Sequence, residues 1–231
     1  LKIKQKDIAI TTMPYSYTYG MSIINSHIMK GANIFVYSGS VIQKNFFDIL
    51  EKFKITTFGG VPYTYKLLIK IGLDRLKNKY LKYFTHAGGP MDQKLLIQIY
   101  DFCKKNNLEF ISMYGSSEAT SRMSYLPFVN MKKKLGSIGK GLQKSFKLKD
   151  ENNKLIYEPF NKGELIYEGD NVCMGYANNW KELILGDTNF SILQTGDEGY
   201  FDKDGFFYIS GRKNRYMKLY GHRLSLDEIE K

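Results

Sequence analysis

Apolar residues are arranged in two textures along this chain of 231 residues. Up to about Arg122, short and nearly continuous apolar runs alternate with stretches of helical period. The runs DIAITTM (7–13), NIFVYS (33–38), ITTFGG (55–60), KYFTHAGG (82–89) and LEFISMYGSS (108–117) predict strands. NIFVYS reads as a buried one. GMSIINSHIMKG (20–31), QKNFFDILEKFK (43–54), PYTYKLLIKIG (62–72) and MDQKLLIQIYDFCKKN (91–106) predict helices. Gly31 is placed to stop the first as a C-cap, and Pro62 to open the third. One face of the second carries Phe46, Phe47, Ile49, Leu50 and Phe53. One face of the fourth carries Leu95, Leu96, Ile99, Tyr100 and Cys103. Strands and helices in strict alternation imply a parallel sheet covered by helices.

After Arg122 the pattern becomes one of short β-like runs separated by Gly, Asn and Asp turns. They are KSFKLKD (144–150), KLIYE (154–158), GELIYEG (163–169), DEGYFD (197–202) and GFFYISG (205–211). That texture predicts antiparallel β structure, a small barrel or bent sheet. SLDEIEK (225–231) reads as a helix opening at Ser225. The fold class is therefore α/β, a parallel sheet with covering helices followed by a small antiparallel β-barrel-like subdomain. The expected boundaries are 1–122, 123–211 and 212–231.

Composition narrows the function classes. Hydrophobic residues make up 43% of the chain and aromatics 15%, so a packed core is expected, not a disordered chain. No apolar run approaches the ~18 residues of a membrane span, and no leader argues for export. A cytoplasmic setting is expected. Cys103 and Cys173 lack CxxC spacing and read as buried free thiols. His27, His86 and His222 are scattered and do not form a metal set. The net charge of +11 raises nucleic acid as a partner. The lysines are spread along the whole chain, however, so a specific nucleic-acid site is not expected.

The candidate chemistry lies in loops that follow strands. In a parallel sheet, ligands bind beyond the carboxyl ends of the strands, and GGVP (59–62), HAGGP (86–90) and YGSSEAT (114–120) fall there. Paired glycines let the backbone approach a flat ring closely. Tyr114 has the face for stacking on a base, and Ser116 and Ser117 offer hydroxyls to a phosphate. Glu118 is a hard oxygen ligand of the kind that holds Mg²⁺ together with phosphates. For any one of these loops an ordinary strand-to-helix turn is the alternative. Further on, Asp197 and Arg212 combine a carboxylate with a guanidinium fork, a pair suited to vicinal hydroxyls.

Taken in order and spacing, HAGGP, YGSSE, GELIYEGDNVCMGY, TGD and GRKNRYMKLYGHRLSLDEIE resemble the motifs of the adenylate-forming superfamily. That group contains acyl-CoA synthetases, non-ribosomal peptide synthetase adenylation domains and luciferase. The resemblance implies an AMP-forming ligase that activates a carboxylic acid with ATP and passes the acyl group to coenzyme A or a carrier-protein thiol. It implies that Gly88, Gly89 and Pro90 line the adenine site, with Tyr114 and Gly115 beside it. Ser116 and Ser117 would lie at the phosphates, with Ser117 on the α-phosphate. Glu118 would hold Mg²⁺, and Asp197 with Arg212 would take the ribose. Asn214 falls at the family's hinge, where Asp or Lys is usual, so the hinge's charge role is open. Lys218 matches the lysine of the thioester-forming step. Tyr17 and Tyr19, in MPYSYTYG (13–20), stand where relatives line the acyl tunnel, with plain core packing as the alternative.

The family's Ser/Thr/Gly-rich phosphate loop and its late adenylation lysine have no counterpart in this sequence. The expectation is thus the central part of a longer enzyme, cut at both ends, with little or no ligase turnover by itself. A non-catalytic AMP- or ATP-binding module is the second reading, and a nucleic-acid-binding protein, resting on charge alone, the third.

Overall fold

The computed structural model describes residues 1–142, 145–213, 216–219 and 222–225, the last two segments as backbone. The chain divides into two compact units, Leu1–Gly136 and Ser137–Lys231.

In the first unit, β1 (Ile8–Ile10), β2 (Asn33–Phe35), β3 (Thr57–Gly60), β4 (Tyr83–His86) and β5 (Glu109–Tyr114) pair in parallel. A short β6 (Ser124–Leu126) runs antiparallel to β5. The strand order is β2-β1-β3-β4-β5-β6. Because β6 pairs with β5, the first unit extends past the change of texture at Arg122. The helices α1 (Thr18–Ile28), α2 (Lys44–Lys52), α3 (Pro62–Ile71) and α4 (Gln93–Lys105) connect successive parallel strands, and α5 (Phe128–Met131) follows β6.

Local chemistry accounts for these elements. Pro62 opens α3, where its missing N–H is no loss. Asp92 caps α4, its carboxylate accepting from the Lys94 and Leu95 amides at 2.8 and 3.3 Å. The core is aromatic at its centre. Phe58 packs on Phe84 and Phe46, with ring centroids 4.9 and 5.8 Å apart, and Tyr65 meets Phe110 edge-on at 5.1 Å.

Several expectations change. NIFVYS is not a buried strand. β2 is last in the unit's strand order, with Asn33 exposed and Ile34 and Phe35 half-buried, because only one neighbour covers it. α1 is capped at Met29, and Gly31 follows with a left-handed φ of 62°. On α2 only Phe46 and Leu50 are buried, and Phe53 is exposed. On α4 the apolar face carries Phe102 rather than Tyr100.

The second unit is antiparallel. Its sheet has the order β7-β11-β10-β9-β8, formed by β7 (Ser137–Gly141), β8 (Phe146–Lys149), β9 (Gly163–Glu168), β10 (Ile192–Phe201) and β11 (Phe207–Arg212). A separate hairpin pairs β12 (Tyr216–Leu219) with β13 (His222–Ser225). KLIYE meets β8 only through a bridge from Leu155 to Lys149 and the Ile156 amide, which donates to the Leu148 carbonyl at 2.9 Å, and its Tyr157 is exposed, so the run does not form a strand. Ser225 closes β13 instead of opening a helix, and the rest of SLDEIEK lies outside the described residues. Among the described residues, no helix is long and apolar enough to cross a membrane.

Candidate functional site

The candidate residues of the first unit gather at the carboxyl ends of its parallel strands. β4 ends at His86 and hands the chain to Gly88 and Gly89, with φ of 84° and 152°. Both glycines and Pro90 are exposed. A Cβ on Gly88 would collide with the Tyr17 hydroxyl, and one on Gly89 would come within 3.5 Å of Pro62. Both adopt backbone angles that favour glycine, and Gly88 in addition makes room for a neighbouring side chain. The Tyr17 hydroxyl at Gly88 brings the MPYSYTYG and HAGGP segments together.

β5 delivers the next loop. Gly115 has no room for a side chain, since a Cβ would overlap the Thr120 carbonyl and the Ser121 backbone. The Ser116 amide donates to the Thr120 carbonyl at 3.1 Å, which folds residues 115–120 back on themselves. Ser117 is exposed, and Thr18, at the start of α1, donates to its hydroxyl at 3.0 Å. The Ser116 and Ser121 hydroxyls are buried without a hydrogen-bond partner among the described residues. Buried polar atoms of this kind call for a partner from outside the fold. Tyr114 and Glu118 are half-buried. A cavity of about 430 Å³ opens beside this loop, lined by Thr18, Met21, Ser22 and Asn25 of α1 and by Ala119 and Thr120.

Tyr19 differs from Tyr17. It is 1% exposed and packs with Ile23, Ala87 and Met113. Its hydroxyl lies 2.6 Å from the Thr85 hydroxyl, and the Tyr65 hydroxyl donates to the Thr85 carbonyl at 2.6 Å. Burial raises the Tyr19 phenol above its ordinary value, so it stays neutral near neutral pH. His86 is also enclosed. Its Nδ1 sits 3.1 Å from the Ser112 hydroxyl, and burial pushes its imidazole down to about 4 against an opposing Gly89 backbone interaction.

In the second unit the expected carboxylate–guanidinium pair is formed. Asp197 on β10 and Arg212 on β11 are register partners, and Arg212 Nε donates to Asp197 Oδ1 at 2.8 Å. The Asp197 side chain is 8% exposed and that of Arg212 65%. β10 changes register against both neighbours around residues 194–199, a bulge that re-aims side chains. The Thr195 hydroxyl braces it, donating to the Leu165 carbonyl at 2.8 Å and accepting from the Asp197 amide at 3.1 Å. Asn214 lies outside the described residues, and Lys218 is placed on β12 by its backbone alone.

Sequence reasoning passed over Thr18, Thr85 and Arg122. The first two belong to runs read as helix and strand. Arg122 follows the glycine-serine loop, and its Nε and Nη2 are buried with no hydrogen-bond partner among the described residues. The structure thus sets these loops on strand ends, two of them meeting at Gly88.

The family model described as AMP-binding enzyme matches residues 1–177. The chain belongs to the AMP-binding enzyme family. Among curated relatives it is 28% identical to 2-succinylbenzoate–CoA ligase of Bacillus cereus over 237 residues, covering 100% of this chain and 46% of that protein. It is 26% identical to oxalate–CoA ligase of Arabidopsis thaliana over 234 residues, covering 99% and 45%. The O-succinylbenzoate coenzyme A synthetase of Bacillus subtilis, solved with ATP and magnesium ion, superposes with a TM-score of 0.82 at 23% identity, covering 100% of this chain and 46% of that one. The chain thus shares this family's fold and spans about half the length of the curated relatives it matches.

Proposed function

We propose that this chain is the nucleotide-binding central part of an AMP-forming acid–thiol ligase. The observation that carries the reading is the meeting of HAGGP, YGSSE and the tyrosine segment at one edge of the parallel sheet, in a chain of the AMP-binding enzyme family. The curated relatives are CoA ligases for different acids, which supports a carboxylic acid as substrate without naming it.

On this reading Gly88, Gly89 and Pro90 offer a flat backbone surface to adenine, and Tyr114 and Gly115 adjoin it. The unpartnered Ser116 hydroxyl and the exposed Ser117 are donors for phosphate oxygens. Asp197, steadied by Arg212, accepts from the ribose hydroxyls. Glu118 would hold magnesium. A lone carboxylate fits that ion, which takes one or two carboxylates together with substrate phosphates and supplies charge neutralisation when bound.

The acid's carboxylate attacks the α-phosphorus in line, the bond to the bridging oxygen breaks, and pyrophosphate leaves with the electron pair. The chain's own contribution is positioning: backbone against the base, hydroxyls on the α-phosphate, and Tyr17 beside the acyl group, Tyr19 being core packing. Tyr17 stands at Gly88, where adenine and acyl group would adjoin. The resulting mixed anhydride is attacked by a thiol, from coenzyme A or a carrier protein, with Asn214 at the hinge and Lys218 in the second step. Two free cysteines fit a reducing, cytoplasmic setting.

ATP–pyrophosphate exchange across a panel of carboxylic acids tests the reading, using the complete protein that contains this sequence. Acid-dependent exchange that falls at least tenfold in Glu118→Ala supports it. Absence of exchange with every acid, together with AMP binding, would instead favour a nucleotide-binding module.

A further inference from the structure

Thr18 is a polar residue of the candidate site to which the proposed adenylation chemistry gives no task. It is the first residue of α1, and its hydroxyl donates to the Ser117 hydroxyl at 3.0 Å across 99 positions of sequence. Together with Ala119 and Thr120 it lines the open cavity, so it stands at the wall of an open space and not in the packed core. Ser117 is exposed and Thr18 half-buried. Among the described residues, no acceptor takes the Ser117 proton.

The neighbours of Thr18 hold it in place. Tyr17, just before it, reaches Gly88. Tyr19, just after it, is 1% exposed, and its hydroxyl lies 2.6 Å from that of Thr85. The opening of α1 therefore touches HAGGP and YGSSE through adjacent residues. A threonine inside a helix commonly turns its hydroxyl to a carbonyl one turn back. Thr18 gives its proton to a distant segment instead.

An exposed serine hydroxyl finds water as readily as a protein donor, so this bond adds little to the stability of the fold. What it changes is the direction of the hydroxyl. A serine hydroxyl has one proton and two lone pairs. With Thr18 on one lone pair the rotor is fixed, and the proton is left to point elsewhere. Accepting a hydrogen bond also strengthens that proton as a donor, because successive hydrogen bonds polarise one another. A donor already aimed needs no reorientation when charge develops on a phosphate oxygen. We infer that Thr18 is a positioning residue, which sets Ser117 to donate to the α-phosphate as the acid attacks. This inference rests on the AMP-forming reading above and adds a residue that acts through Ser117 without touching the nucleotide.

The test is ATP–pyrophosphate exchange of the complete protein, with an acid that the wild type activates, in Thr18→Val, Thr18→Ser, Ser117→Ala and the Thr18→Val/Ser117→Ala double variant. Thr18→Val is expected to lower kcat by about tenfold, with KM for the acid and the midpoint of thermal denaturation unmoved. Thr18→Ser keeps the hydroxyl and should recover most of the loss. In the Ser117→Ala background, Thr18→Val should change kcat by less than about twofold, since its target is gone. Equal losses in both backgrounds overturn the inference, as does a Thr18→Ser variant as slow as Thr18→Val, or full activity in a folded Thr18→Val variant. Thr18→Ala, taken through the same cycle, decides the matter if Thr18→Val does not fold. Calorimetric binding of AMP provides the second arm. If no acid supports exchange while AMP binds, and Thr18→Val weakens that binding only when Ser117 is present, the ligase reading falls and the Thr18–Ser117 pairing stands. If exchange occurs and neither kcat nor AMP binding depends on residue 18, the reverse holds. With neither exchange nor AMP binding, both fall.

Discussion

The buried Tyr19–Thr85 bond gives the sharpest energetic prediction. The two hydroxyls lie 2.6 Å apart, and Tyr19 is 1% exposed and Thr85 2%. The Gly60 backbone also approaches the phenol, so Tyr19 keeps one partner when Thr85 is changed, whereas Thr85 depends more heavily on Tyr19. Tyr19→Phe leaves the threonine hydroxyl stranded in the core, which costs about 1–3 kcal/mol. Thr85→Val strands the phenol only in part and should cost about 1 kcal/mol. The double variant removes both hydroxyls and leaves neither orphaned, so its cost should fall short of the sum by about 1–2 kcal/mol. Urea denaturation of the four proteins, followed by circular dichroism, measures the cycle. A double variant additive to within about 0.5 kcal/mol would refute the reasoning, because uncoupled sites add to that accuracy.

Other consequences are open to direct measurement. His86, lowered from 6.5 to about 4, must be neutral in the fold, so the unfolded chain binds the proton first as pH falls. Stability should be complete above 6.5 and drop by about 3 kcal/mol down to pH 4. His86→Gln should flatten that part of a pH–stability curve, and an unchanged slope would dismiss the burial argument. Gly88→Ala puts a methyl where the Tyr17 hydroxyl lies and strains a φ of 84°. A stability loss of about 1–2 kcal/mol is expected, with partial rescue in Tyr17→Phe, read by thermal denaturation. Asp197→Ala removes the charged acceptor beside Arg212. AMP affinity, measured by calorimetry, should fall by about 10–100-fold, and an unaltered Kd would detach Asp197 from the nucleotide.

The sequence by itself determined the order of elements and the chemistry of the loops. Alternation of apolar runs with helical period announced five parallel strands, because a strand buried on both faces has to be apolar throughout. Glycine, serine and glutamate after β4 and β5 were legible because backbone angle and donor type are local properties. Pairings that depend on a distant segment were not legible. KLIYE has strand composition, yet it meets β8 too briefly to form a strand. NIFVYS looks buried until the strand order leaves it one neighbour. Tyr17 and Tyr19 are indistinguishable by spacing, but packing sends one to Gly88 and the other into the core. Arg122 shows the limit most clearly. In sequence it is one cation among many, and only in the fold are its Nε and Nη2 buried with no hydrogen-bond partner among the described residues. Desolvation is a property of the surroundings in space, so tertiary structure alone decided which arginine would need a partner.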